Sequence, residues 1–208
     1  MKHNIESIIS LIWVTVLSLW LILWSVNTWA VGAFKPTEAE LRMLPAYCKP
    51  KAVNLNSKVG PYQKYRPLIK IWKKRLGSDY VHLHHYCQAL QALNKIYKEP
   101  EKKKFYYKVA LGNIEYMERN ASKKFVLMPE IYNTKAKILY SIGRTDDAVK
   151  YLISAMRLKK NFSPPYVKLI DIYNDLGMKD KAKKVLKTGL KYNPKSKALL
   201  RRKEELLR

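Results

Sequence analysis

From residue 61 onward the apolar residues recur every three or four positions, which is the period of a helix with one buried face. Tyr65, Leu68, Ile69 and Trp72 form one stripe and predict a helix over 61–76. Gly77 stops it, and Ser78 or Asp79 is placed to cap the next. Cys87, Leu90, Leu93, Ile96 and Tyr97 predict a helix over 79–98. Pro100 opens a third that runs to Asn120, with Tyr107, Leu111, Ile114 and Met117 inward. A last amphipathic stretch, 195–207, has Ala198, Leu199, Leu206 and Leu207 apolar and the rest mostly charged. Ahead of these lies a Pro-bearing segment over 34–60, in which Thr37 and Glu40 have the spacing of a capping box for a short helix over 37–44. Pro45, Pro50 and Pro61 predict irregular chain for the rest of it.

Between 129 and 196 the pattern repeats itself after 34 residues. Tyr132 falls on Tyr166, Gly143 on Gly177, Ala148 on Ala182 and Leu152 on Leu186. These are the positions a pair of packed helices needs: aromatic and Leu core residues, a Gly for the left-handed turn after the first helix, and an Ala where the helices approach closely. A fixed period of this length marks stacked helical units, none of which buries its apolar face alone. The helices over 79–98 and 101–120 read as a divergent third unit with a lengthened second helix.

The two copies resemble the tetratricopeptide repeat. Tyr166, Leu169, Ile170, Tyr173, Gly177, Ala182, Leu186, Gly189 and Pro194 stand where that family places its pattern residues, as do Tyr132, Ala136, Leu139, Gly143, Ala148, Leu152 and Ala155 in the first copy. The copies depart from the pattern at Lys135, at Lys160 in the place of Pro, and at Gly189 in the place of Ala. The resemblance implies an all-α fold, a right-handed superhelical array of antiparallel helix pairs closed by a C-terminal capping helix over 197–208. It further implies a non-enzymatic scaffold that holds a peptide or helix of another protein in a concave groove. The residues that would line that groove are Asn133, Lys137, Tyr140, Lys168, Asp171 and Asn174.

Residues 8–26 change the picture of where this array works. The run is apolar but for Ser10, Thr15, Ser18 and Ser25. Thr28-Trp29-Ala30 and Val31-Gly32-Ala33 both fit a small-x-small cleavage rule, so 1–33 reads as a secretory signal. The run is also long enough to cross roughly 30 Å of hydrocarbon as a retained anchor, and both readings stay open. Either one places the body outside the cytosol, exported and periplasmic or anchored at an inner membrane. That in turn predicts a scaffold of the bacterial cell envelope, helping to assemble a membrane complex. Lys35, Arg42, Lys49 and Lys51 behind the run pull weakly the other way.

The formal net charge is +25, and it lies on the body, since residues 1–33 contribute only Lys2 and Glu6. Basic runs stand at Lys73-Lys74-Arg75, Lys102-Lys103-Lys104, Lys183-Lys184 and Arg201-Arg202-Lys203. A lysine-rich solvated surface accounts for much of this. A second function class is a binder of anionic polymer or lipid. No nucleic-acid-reading motif accompanies the charge, which disfavours nucleic acid.

Candidate chemistry is confined to 79–87. His82, His84 and His85 are the only histidines of the body, and Cys87 is one of only two cysteines in the chain, the other being Cys48. In an exported chain the two cysteines predict a disulfide. It would close a loop of about 40 residues, worth about 4 kcal/mol in the chain-entropy model, and clamp the N-terminal segment onto the first helices. A metal site of His84, Cys87 and Cys48 competes with it, because a bonded cysteine has no thiolate to offer. This would make the chain a metal- or redox-handling accessory protein, the least favoured class. No phosphate-binding Gly loop, nucleophile elbow or His-Glu-x-x-His stands anywhere in the chain, and no cofactor is implied. Asp146 and Asp147 read as acids at a helix start behind a Thr145 cap.

Overall fold

The computed structural model describes residues 36–53 and 62–207. The apolar run over 8–26, with its signal or anchor reading, lies outside the described residues. Among the described residues no helix is long and apolar enough to cross a membrane. Residues 34–208 form one compact unit. Three buried clusters of described residues lie within it, so it has the core that an independently folding domain needs.

Ten α-helices and no strand are present among the described residues. A short strap carries α1 (Glu38–Met43) and α2 (Lys49–Ala52). Then come α3 (Arg66–Leu76), α4 (Leu83–Lys95), α5 (Lys103–Asn120), α6 (Met128–Ser141), α7 (Thr145–Leu158), α8 (Ser163–Asp175), α9 (Lys179–Tyr192) and α10 (Lys197–Leu207). Three helical hairpins, α4 with α5, α6 with α7 and α8 with α9, stack in chain order, and α10 packs on α8 and α9. This is an α-solenoid. The α4/α5 hairpin occupies the place of the expected third unit, with 18 residues in α5 against 14 in α7 and in α9.

The helix starts differ from expectation in instructive ways. Thr37 and Glu40 do form a capping box, the Thr37 hydroxyl accepting from the Glu40 N–H and the carboxylate accepting from the Thr37 N–H. Asp79 caps nothing; a 3-10 turn, Ser78–Val81, intervenes, and its carboxylate accepts instead from the Ser122 N–H at 3.0 Å. Thr145 is not a cap either. It is the first helical residue, and Asp147 pairs with Arg144. The segment expected to be irregular contains α2, started by Pro50, whose missing N–H costs nothing in a first turn. Tyr97, expected on the apolar face, lies past the end of α4 and is exposed.

The core explains why repetition is needed. Ala136, Leu139, Ala148 and Leu152 of the first repeat cluster with Leu169 and Ile172 of α8. Tyr166, Ile170, Ala182 and Leu186 of the second cluster with Leu199 of α10. Each hairpin is completed by the next helix in line. Gly143 and Gly177 turn their chains at φ of 82° and 70°, a region that strains any residue with a Cβ. Pro194 sits exposed in the turn before α10.

Both departures from the repeat pattern at Lys135 and Gly189 have physical causes. Lys135 is buried because its ammonium donates to Glu118 of α5 and to the Tyr151 hydroxyl. Gly189 stands where a Cβ would lie 3.1 Å from Leu199 Cδ1 and 3.2 Å from Tyr166 Cβ. Gly189→Ala would bring back the family's residue and gain about 1 kcal/mol of helix propensity. Overpacking against Tyr166, whose Cβ is fixed by its own helix, costs about 1–3 kcal/mol. The expected outcome in a thermal melt is therefore no stabilisation and a modest fall in Tm.

The strap is held by charge as well as by the bond of its Cys48 to Cys87 of α4. Burial alone would push the Glu40 carboxyl up. The Thr37 N–H bond, Lys95 and Lys98 outweigh it and bring the group down to about 2. A depressed carboxyl stabilises above its unfolded value of 4.5 and loses that contribution as pH falls toward 2. Glu40→Gln is therefore expected to cost about 3 kcal/mol at neutral pH and to flatten the acid limb between those values. Urea titrations at several pH values check this.

Candidate functional site

The strap and the repeats together form an open cleft of about 370 Å³. It is lined by Met43 and Pro45, by Tyr86, Leu90 and Asn94 of α4, and by Phe162 and Pro164. Glu130, Asn133, Thr134 and Lys137 of α6 run along it. They fall on successive turns of one helix, so one face of α6 supplies them all.

The cleft has an ordered polar base. Glu130 accepts from the Tyr47 hydroxyl of the strap and, at 3.4 Å, from that of Tyr86. Tyr86 and Thr134 share a hydrogen bond of 2.9 Å, and the Thr134 hydroxyl donates to the Glu130 carbonyl. Burial is the first cause, and the neighbouring Glu130 a further one, that holds the hydroxyls of Tyr47 and Tyr86 well above the usual tyrosine value. Both stay donors at any physiological pH.

Above this base the cleft is unfinished. Asn133 is 4% exposed, and its Oδ1 has no hydrogen-bond partner. Burial, and after it the charge of Lys168, pull the Lys137 ammonium below the usual lysine value, with Glu130 opposing. Lys168 lies over the Tyr140 ring, 4.1 Å from its centroid. The structure thus brings Asn133 and Lys137 of α6 into the lining of the cleft, with Lys168 of α8, over the Tyr140 ring, near enough to Lys137 for their charges to repel. An anionic group entering here would relieve the repulsion between the two ammonium groups. The open position on Asn133 is an acceptor, so it is suited to a donor such as the N–H of a peptide group.

Two of the expected groove residues do not join this set. Asp171 is engaged by Arg202 of α10 through both carboxylate oxygens, so the capping helix neutralises it. Asn174 is exposed near the end of α8. The Tyr140 hydroxyl donates to Asp175 at 2.6 Å. Sequence reasoning misses Met43, Pro45, Tyr86 and Phe162: Met43 and Pro45 reach the cleft through the docking of the strap, Tyr86 comes from α4 outside the matched repeats, and Phe162 comes from the inter-repeat connection.

Cys48 and Cys87 are bonded to each other in the structure, with Cα atoms 5.3 Å apart, which takes both thiolates out of the candidate metal set. His84 Nδ1 lies 3.0 Å from the Val81 carbonyl, and His85 stacks on Tyr116 with ring centroids 3.6 Å apart. Among the described residues no group of three or more His, Cys, Asp or Glu is placed to hold a metal ion.

The fold is that of a helical-repeat protein. The tetratricopeptide-repeat family model matches residues 129–162 and 166–196, so the chain carries two tetratricopeptide repeats, α6/α7 and α8/α9. No curated protein and no solved structure matches the chain. Such repeats in general mediate binding to other proteins and are not catalytic.

Proposed function

We propose that this protein is an envelope scaffold that holds a carboxylate-bearing segment of a partner protein in the cleft between strap and repeats. The observation that carries this reading is the pair Lys137 and Lys168 beside apolar walls and an Asn133 oxygen that lacks a donor. The ammonium groups fix the anionic end and Asn133 Oδ1 accepts from a backbone N–H of the same segment; Met43, Leu90 and Phe162 take up apolar side chains next to it. The envelope setting draws support from the apolar run over 8–26 and from the bonded cysteines.

Residues 34–208 used as bait, beside the Lys137→Glu/Lys168→Glu variant, test the proposal. A defined protein should survive a moderate-salt wash on the unaltered bait and bind the variant at least about tenfold more weakly, since a hydrogen bond to a charged group contributes about 1.5–3 kcal/mol. A partner held equally by both baits would exclude the cleft as its site.

A further inference from the structure

Helix α3 does not line the cleft and carries charge of one sign only. Its eleven residues contain Arg66, Lys70, Lys73, Lys74 and Arg75 and no acid. At 100° per residue, Ile69, Trp72 and Leu76 share one side. Ile69 and Trp72 pack against the main core, Leu76 is buried, and Trp72 meets Tyr47 edge to face at 5.8 Å. The opposite side carries Lys70, Ile71 and Lys74, all exposed, with Lys73 and Arg75 at its flanks.

Some cations elsewhere meet carboxylates: Lys95 and Lys98 share Glu40, Lys135 pairs with Glu118, Arg144 with Asp147, and Arg202 with Asp171. Lys183, Lys184 and Lys187 of α9 are exposed cations as well, but Asp180 stands in that helix and no exposed apolar residue lies between those lysines. Among the described residues no carboxylate stands within ion-pair distance of Lys70, Lys73, Lys74 or Arg75, whose one close charge contact is that of Arg75 with the Trp72 ring. Four unneutralised cations along a helix, with an exposed isoleucine between them, fit a plane of negative charge that has an apolar layer beneath it.

We infer that α3 docks this protein on an anionic lipid bilayer, with Lys70, Lys73, Lys74 and Arg75 on the headgroups and Ile71 entering the interface. A soluble polyanion would satisfy the ammonium groups but offers nothing to Ile71. The inference does not depend on the cleft.

The test is sedimentation of residues 34–208 with phosphatidylcholine vesicles, with and without phosphatidylglycerol, at low and moderate salt. Binding is expected only with the anionic lipid. Each cation brought to such a surface contributes about fivefold, so Lys70→Gln/Lys73→Gln/Lys74→Gln should weaken it about a hundredfold. Lys183→Gln/Lys184→Gln/Lys187→Gln on α9 removes the same charge at exposed positions and should weaken it less than about fivefold. Ile71→Ser should weaken vesicle binding severalfold and leave heparin binding unchanged, and Lys137→Glu should leave the α3 dependence intact. Circular dichroism melts establish that each variant is folded. The inference is overturned by equal losses in the two triple variants, by indifference to Ile71, or by heparin or single-stranded DNA binding as tightly as the vesicles with the same dependence on α3.

Discussion

Replacing Cys48 and Cys87 together by alanine is expected to lower the unfolding free energy by about 4 kcal/mol and Tm by roughly 12 °C. The bridge spans 39 positions, and cross-linking so long a loop removes much of the freedom of the unfolded chain. The loss should also be local. Without the bridge, the strap keeps only non-covalent contacts, among them the Glu40 and Glu38 ion pairs, the Tyr47–Glu130 bond, the Tyr47–Trp72 contact and the burial of Leu41 and Leu44. Hydrogen exchange should then rise first in α1 and α2, while α8 and α9 keep their protection. A double-alanine protein with unchanged Tm and unchanged exchange in the strap would show that the bridge does not hold it.

Lys135→Met is expected to cost about 4 kcal/mol, although it exchanges a charged core residue for an apolar one of similar length. Burial pulls this ammonium's pKa down, yet the bonds to Glu118 and to Tyr151 more than offset that and leave it above the usual lysine value. A raised lysine stabilises fully below its unfolded value of 10.5, so the contribution is intact at neutral pH and fades only in strong alkali. The methionine strands Glu118 and the Tyr151 hydroxyl without their donor. Lys135→Met/Glu118→Leu removes the stranded charge and should recover most of the loss. Urea denaturation of both variants decides the matter; a single variant as stable as the original chain would mean that solvent reaches Glu118.

The same residue marks how far the sequence can be read. Lys135 registers as a mismatch in the repeat, and nothing in a 34-residue period says that α5, outside the matched repeats, holds its counter-charge. The repeats themselves are legible because local signals agree: Gly143 and Gly177 at the turns, Ala148 and Ala182 at the close approaches, and apolar residues at helical spacing. Register alone places Asn133, Lys137 and Lys168 near the cleft. Their real circumstances are not legible. The burial of Asn133 and the capture of Asp171 by Arg202 come from contacts between elements distant in the chain. The strap is least readable, since prolines mark where helices break but not where a broken segment docks.

The last helix keeps the beat of the array. It begins at Lys197, 34 positions after Ser163 opens α8, and supplies Leu199 to a core that would otherwise stand open. A chain built this way has a natural splice point. A duplicated unit inserted just ahead of Lys197 would find α9 waiting on one side and the same terminal lid on the other, whereas a stop codon at that point would leave Tyr166 and Leu186 facing water. Lengthening by whole units is thus tolerated in a way that shortening by a single helix is not.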